Sequence, residues 1–185
     1  AEAWGVTVDL QLTDSLPQGH ADPELLCQVV LNLALNAVHA TGTPPAVGFE
    51  EYVESARPHR RGSGEEEGRL TFRTGVTRRV QSAAGRLLAR DMVEIVVEDN
   101  GKGIPEEDLA NIFIPFFTTK RKGTGLGLAI SQRMVENMGG SIELKSTLGE
   151  GTTFRVLLPL WDAATRSLPD MGSAQAMREL VKGKR

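Results

Sequence analysis

Gln28, Asn32 and Asn36 recur every four residues and His39 follows three later, so four polar side chains project from one side of an otherwise apolar helix. Uncharged amides in apolar surroundings are costly unless something satisfies them, and a bound polar ligand would do so. A solvent-facing stripe would serve as well, though such a face more usually carries Lys and Glu. In Val96-Val97-Glu98-Asp99-Asn100-Gly101-Lys102-Gly103-Ile104-Pro105 an apolar strand delivers a carboxylate to its end, just before a glycine turn. Asp99 could accept a hydrogen bond from an exocyclic amine, and Gly101 and Gly103 would let backbone approach a flat ring. An ordinary Asp-Asn-Gly turn has the same residues. In Lys120-Arg121-Lys122-Gly123-Thr124-Gly125-Leu126-Gly127-Leu128 glycines feed a helix with three cations just upstream. Free amides at a helix start, aided by the helix dipole, bind anions, and Lys120 or Lys122 could neutralise phosphates. A lone Gly-x-Gly-x-Gly is equally a flexible loop.

Between the last two segments, Ile112-Phe113-Ile114-Pro115-Phe116-Phe117-Thr118-Thr119-Lys120 holds three of the six phenylalanines. They suit a hydrophobic anchor for a moving loop, which overlaps with plain core packing. In Gly149-Glu150-Gly151-Thr152-Thr153-Phe154 a threonine hydroxyl could support Asp99, and a hairpin explains the glycines too.

The elements that must carry these residues follow from patterning. Val6 to Leu12 alternates apolar and polar residues as a half-buried strand does. Asp22-Pro23-Glu24 starts a helix by capping, by proline at the first position and by an acid at the positive end of the dipole. That helix is predicted to end near Thr41-Gly42 and, being apolar almost all round, to be buried. Residues 43 to 68 read as a mobile insert, with Pro44-Pro45, the basic Arg57-Pro58-His59-Arg60-Arg61 and the acidic Glu65-Glu66-Glu67. Arg69 to Val80 and Asp91 to Glu98 are expected as a hairpin joined by Gln81 to Gly85. A short helix over Pro105 to Asn111 and a longer one over Gly125 to Met138 precede two strands, Ser141 to Ser146 and Thr152 to Leu160. Residues 161–185 read as a tail or linker, leaving one domain over 1–160.

Composition bounds the class. The chain has 185 residues, 40% of them hydrophobic, which is enough for one sizeable core. Balanced charge, net -3, gives no electrostatic case for nucleic acid. The single Cys27 excludes an internal disulfide and fits a reducing cytoplasm. No apolar run approaches the roughly eighteen residues of a membrane span, and the N-terminus does not read as a signal peptide.

In their order and spacing, these segments resemble the histidine kinase catalytic domain, a branch of the Bergerat ATP-binding fold shared with gyrase, the Hsp90 chaperones and MutL. The resemblance runs from about Gly5 to Leu160 apart from the insert. Asn32 to Ala37 is similar to the family's N-box, Asp99 to Gly103 to its first glycine box, Phe113 to Phe117 to its F-box, Gly123 to Leu128 to its second glycine box and Gly149 to Thr152 to its last. The short lid and Phe116-Phe117-Thr118-Thr119-Lys120 look most like kinases of the nitrogen-regulation type.

The resemblance implies an α+β two-layer sandwich: a mixed, mostly antiparallel sheet with helices packed on one face. It implies ATP and Mg2+ as cofactors, with Asn36 ligating the metal, Asn32 beside it, and Lys120 joining them as a catalytic group. Asp99 would bind the adenine amino group, Gly101 and Gly103 line the base, and Thr152 assist Asp99. His39, Ala40, Ile104, Phe117, Thr118, Lys120, Lys122, Gly123, Thr124, Gly125, Leu126, Gly127 and Leu128 would complete the nucleotide site, under a lid from Phe117 to Gly125. Asn32 stands where gyrase and chaperone relatives typically carry a glutamate that activates water, so transfer is expected rather than hydrolysis. None of His20, His39 and His59 has the setting of the family's phosphate acceptor. The acceptor is therefore expected on a separate dimerisation domain that precedes this chain, with a response regulator downstream. The domain itself is expected to be a cytoplasmic monomer contacting neither nucleic acid nor membrane. The alternatives are an ATPase of the gyrase or Hsp90 type and a serine-directed anti-sigma-factor kinase.

Overall fold

The computed structural model describes residues 6–41, 67–83, 86–120 and 123–160. Most of the expected insert, the hairpin tip at Ala84 and Gly85, the cations Arg121 and Lys122, and the tail after Leu160 lie outside the described residues. The chain runs β1 (Val6–Gln11), α1 (Pro23–Ala40), β2 (Gly68–Ala83), β3 (Arg86–Asp99), α2 (Glu106–Leu109), α3 (Gly127–Asn137), β4 (Ser141–Thr147) and β5 (Gly151–Pro159). These form one five-stranded sheet in the order β1-β2-β3-β5-β4. Only β1 with β2 is parallel, and the other three pairings are antiparallel.

Local chemistry explains where α1 begins. Asp22 Oδ1 accepts from the amides of Glu24 at 2.9 Å and Leu25 at 3.1 Å, satisfying two donors that the first turn leaves open. Such a cap is worth about 1 kcal/mol. At the other end the Thr41 hydroxyl donates to Val38 O at 2.7 Å.

Alternation along the strands sorts the two faces of the sheet. Val93 and Val97 of β3 align with Leu158 and Phe154 of β5, and these four share a core with Val29, Leu33 and Ala37 of α1 and Val135 of α3. The helices therefore cover one face, as expected. The opposite face carries ion pairs: Arg73 with Glu98 at 2.5 Å, and Arg155 with both Glu94 and Glu143. No helix among the described residues is long and apolar enough to cross a membrane.

Five expectations change. Strand β1 forms, but its alternation does not bury one face: only Val6 is buried, and Val8, Leu10 and Leu12 are 40%, 61% and 55% exposed, because the strand lies at the edge of the sheet. Helix α1 is buried on one face only, because it lies on a single sheet: Leu33 is fully buried, whereas Leu31 and Leu35 are 57% and 44% exposed. The β2–β3 ladder continues through Gln81↔Leu88 to Ala83↔Arg86, so the expected turn residues Gln81 to Ala83 are paired strand. Backbone pairing does not depend on side-chain alternation, and neither β2 nor β3 carries a proline that would interrupt it. Gly68, expected in the insert, opens β2 instead, its backbone paired opposite Val6. Helix α3 begins at Gly127 because Gly125 has φ +66°, which a right-handed helix excludes.

The largest fully buried side chain on α1 gives a direct check. Leu33→Ala should lower unfolding free energy by about 3 kcal/mol in urea denaturation, whereas Leu31→Ala should change it by less than about 1 kcal/mol.

Candidate functional site

The polar stripe of α1 faces α3 and the glycine-rich loop before it. Asn32 Nδ2 donates to Ser131 Oγ of α3 at 2.9 Å, and a Cβ at Gly127 would lie 2.6 Å from Asn32 Oδ1. The Asn32 amide thus fits the small first turn of α3 and ties the two helices. One turn on, Asn36 Oδ1 accepts from Lys120 Nζ at 2.8 Å, with His39 Nδ1 3.4 Å from the same ammonium. Gln28, the fourth stripe residue, is exposed near the start of the helix.

Lys120 as a residue is exposed, yet its ammonium is tucked against α1. That loss of water, with the nearby charge of Lys102, lowers its pKa. Burial and the Lys120 charge lower the His39 pKa likewise, which favours a neutral imidazole beside the ammonium. An uncharged amide oxygen already holding a cation is the donor chemistry that Mg2+ takes when phosphates and water supply its other ligands, so Asn36 fits that metal.

At the end of β3, Asp99 lies opposite Thr152 of β5 and is 5% exposed. Its Oδ1 accepts from Gly101 N at 2.8 Å, and the Thr152 amide also supports the carboxylate. Burial nonetheless outweighs these bonds and raises its pKa to about 6. The Thr152 hydroxyl, expected to assist Asp99, sits 2.9 Å from Ser146 Oγ. Ser146 was not legible as a site residue, since one serine in a strand carries no spacing signal. Only its register opposite Thr152 reveals it.

The glycines after Asp99 meet protein rather than open space. A Cβ at Gly101 would lie 2.6 Å from the Ala40 carbonyl, and one at Gly103, where φ is +67°, would lie 2.0 Å from Thr147 O. Lys102 N donates to Ala40 O at 3.1 Å, Gly149 N donates to Lys102 O at 2.7 Å, and Ile104 N donates to Ser146 Oγ at 2.9 Å. The turn is threaded between the end of α1 and the β4–β5 turn.

The loop to α3 is anchored by Phe113 and Phe117, half-buried against the core. Between them Phe116 has φ +69° and is 75% exposed, a left-handed conformation costly for a side-chain-bearing residue. Phe116 N donates to Gly125 O at 3.0 Å, and a Cβ on Gly125 would lie 2.4 Å from the Phe116 carbonyl carbon, so the loop's two ends are braced together. Thr118 Oγ1 accepts from Lys120 N at 3.1 Å, Gly123 N donates to Lys120 O at 3.1 Å, and Leu126 N reaches Thr124 Oγ1 at 3.4 Å. No side chain caps α3, whose first-turn amides include Gly127 and Leu128, and this suits an anion. Lys122 lies outside the described residues.

Two outcomes follow from this geometry. Gly103→Ala should cost about 2 kcal/mol or more in thermal unfolding, because it adds both a clash and a disfavoured φ. A raised folded pKa means that Asp99 binds its proton more tightly folded than unfolded, so stability is lost as pH rises through roughly 4 to 6. Asp99→Asn should therefore gain stability relative to wild type between pH 4 and pH 7, by on the order of 2 kcal/mol, measured by urea unfolding at each pH.

Residues 21–162 match the family model of the histidine kinase-, DNA gyrase B- and HSP90-like ATPases. The sensor histidine kinase ZraS of Salmonella typhimurium is 35% identical over 160 residues, covering 86% of this chain and 27% of that protein. The sensory histidine kinase/phosphatase NtrB of Rhizobium leguminosarum is 35% identical over 176 residues, covering 93% of this chain and 40% of that protein. This chain thus spans about a quarter to two fifths of these relatives. Among solved structures, the catalytic domain of histidine kinase ThkA, in a nucleotide-free form, superposes with a TM-score of 0.59 at 26% identity, covering 86% of this chain and 82% of that one. The chain belongs to the histidine kinase-, DNA gyrase B- and HSP90-like ATPase family, as a histidine kinase ATP-binding catalytic domain.

Proposed function

We propose that this domain binds Mg-ATP between α1, the Gly101–Ile104 turn and the Phe117–Gly125 lid, and transfers the γ-phosphoryl group to a histidine on a separate dimerisation domain. The observation that supports it best is the cation held at Asn36 Oδ1 on the same wall as the buried carboxylate of Asp99. Phosphate chemistry at one end and base recognition at the other suit a nucleotide. Asn36 would hold Mg2+, which supplies charge neutralisation to the phosphates when bound. Asp99, ionised at neutral pH, accepts from the adenine amino group. The uncapped start of α3 and Lys120 face the phosphate end, Lys120 leaving Asn36 for a phosphate oxygen.

Asn32 bears on the acceptor. Water must lose a proton to become a phosphate, and Asn32 has no basic group to take it. A neutral imidazole attacks phosphorus with its own lone pair: the N–P bond forms, the bond to the bridging β,γ oxygen breaks, and ADP leaves with the electrons. An external histidine therefore suits this site better than hydrolysis. The relatives are sensor kinases of which the match covers 27% and 40%, which supports an acceptor domain outside this chain and a response regulator downstream.

The test mixes the chain with γ-labelled ATP and a separately made dimerisation domain. The expected outcome is acid-labile label on that domain, transfer lost in Asn36→Asp, and at least tenfold weaker ATP binding in Asp99→Asn by calorimetry. Steady phosphate release by the chain alone, or unchanged ATP affinity in Asp99→Asn, would overturn the proposal.

A further inference from the structure

Ser146 lies on the helix-facing side of β4, opposite Thr152. Its hydroxyl has three neighbours at one distance, 2.9 Å: Ile104 N, Gly151 O and Thr152 Oγ1. A serine hydroxyl has one proton to give. The Ile104 amide can only donate and the Gly151 carbonyl can only accept, so Ser146 accepts from the first and donates to the second. Its contact with Thr152 must then be donated by Thr152. The single hydroxyl proton of Thr152 is spent inside the protein, and Thr152 Oγ1 is left with lone pairs alone. Asp99, paired with Thr152 across β3 and β5, is an acceptor as well.

We propose that Ser146 is a positioning residue for nucleobase selection: by taking the Thr152 hydroxyl proton it makes Asp99 and Thr152 an all-acceptor pair, which favours 6-amino over 6-oxo purine nucleotides. The inference rests on Asp99 being the base-binding carboxylate. A 6-amino group has two N–H donors, one for each acceptor, whereas a 6-oxo base turns a carbonyl toward the pair and has a single N1–H to offer, so at least one acceptor is left unpaired, a costly arrangement in a buried site. The same hydroxyl holds Ile104 N, so the Gly101–Ile104 turn and the acceptor pair are fixed by one atom. Nothing in the spacing of the glycine boxes requires a serine there.

The test measures ATP and inosine triphosphate affinity by calorimetry on the full 185-residue chain. Wild type should prefer ATP. In Ser146→Ala the Thr152 hydroxyl can rotate and donate, so the ATP-to-inosine-triphosphate preference should fall about tenfold, mostly by improved binding of the 6-oxo nucleotide. Ser146→Thr, which keeps a hydroxyl, should retain the preference. Amide exchange at Ile104 should quicken in the alanine variant alone. An unchanged preference in Ser146→Ala, or parallel loss of both nucleotides, overturns the inference. Should that variant not fold, Ser146→Cys, similar in size and weaker in hydrogen bonding, is judged by the same ratio. Wild type that binds ATP and an Asp99→Asn variant that does not keep the base assignment standing whatever Ser146 does. No ATP binding by wild type overturns that assignment instead.

Discussion

The turn that leaves β3 has no room for a side chain at Gly101 or Gly103, and the rest of the site is arranged around it. Ala40 presses on Gly101, Thr147 on Gly103, and the Asp99 carbonyl on Gly151, where a Cβ would come within 2.0 Å. Those contacts join the end of α1, the end of β3 and the β4–β5 turn, three places far apart in sequence. Asp99 is buried because of this closure, and its burial makes its charge costly enough to lift its pKa to about 6. A carboxylate in that condition binds a hydrogen-bond donor more strongly than a solvated one, since little water competes.

A second constraint is electrostatic. Lys120 loses part of its hydration where it sits on Asn36, beside His39 and within the field of Lys102. An ammonium so placed has a better partner in any phosphate that arrives. Under the proposed function, Lys120 rests on the atom that the metal would use, and nucleotide entry would exchange one cation there for another. Phe116 belongs to the same device. Its left-handed backbone is held by the brace to Gly125 and turns Phe117 inward while Phe116 projects outward. Strain of this kind persists only where surrounding contacts overdetermine the chain.

The opposite face of the sheet contributes differently. Arg155 spans Glu94 and Glu143 across three strands, and Arg73 meets Glu98, but all of these groups are partly solvated. Such pairs add little stability individually. They keep that face polar and the helices on the other.

Much was settled by local chemistry and is readable from the chain. The cap at Asp22, the stripe of α1 and the glycines after Asp99 each follow from nearest neighbours in sequence, as does family membership through five ordered boxes. Other features needed the fold. Periodicity could not say that α1 would bury one face only, because that depends on how many layers pack against it. Glycine spacing predicted close approach at Gly101 and Gly103, but not that the space a side chain would need there is taken by Ala40 and Thr147, which come near only through the topology. The partners of Lys120 and the proton count around Ser146 belong to tertiary structure alone. Hydrogen-bond direction depends on which atoms meet, and the residues at 36 and 120, or 104 and 146, are brought together by the sheet rather than by the chain between them.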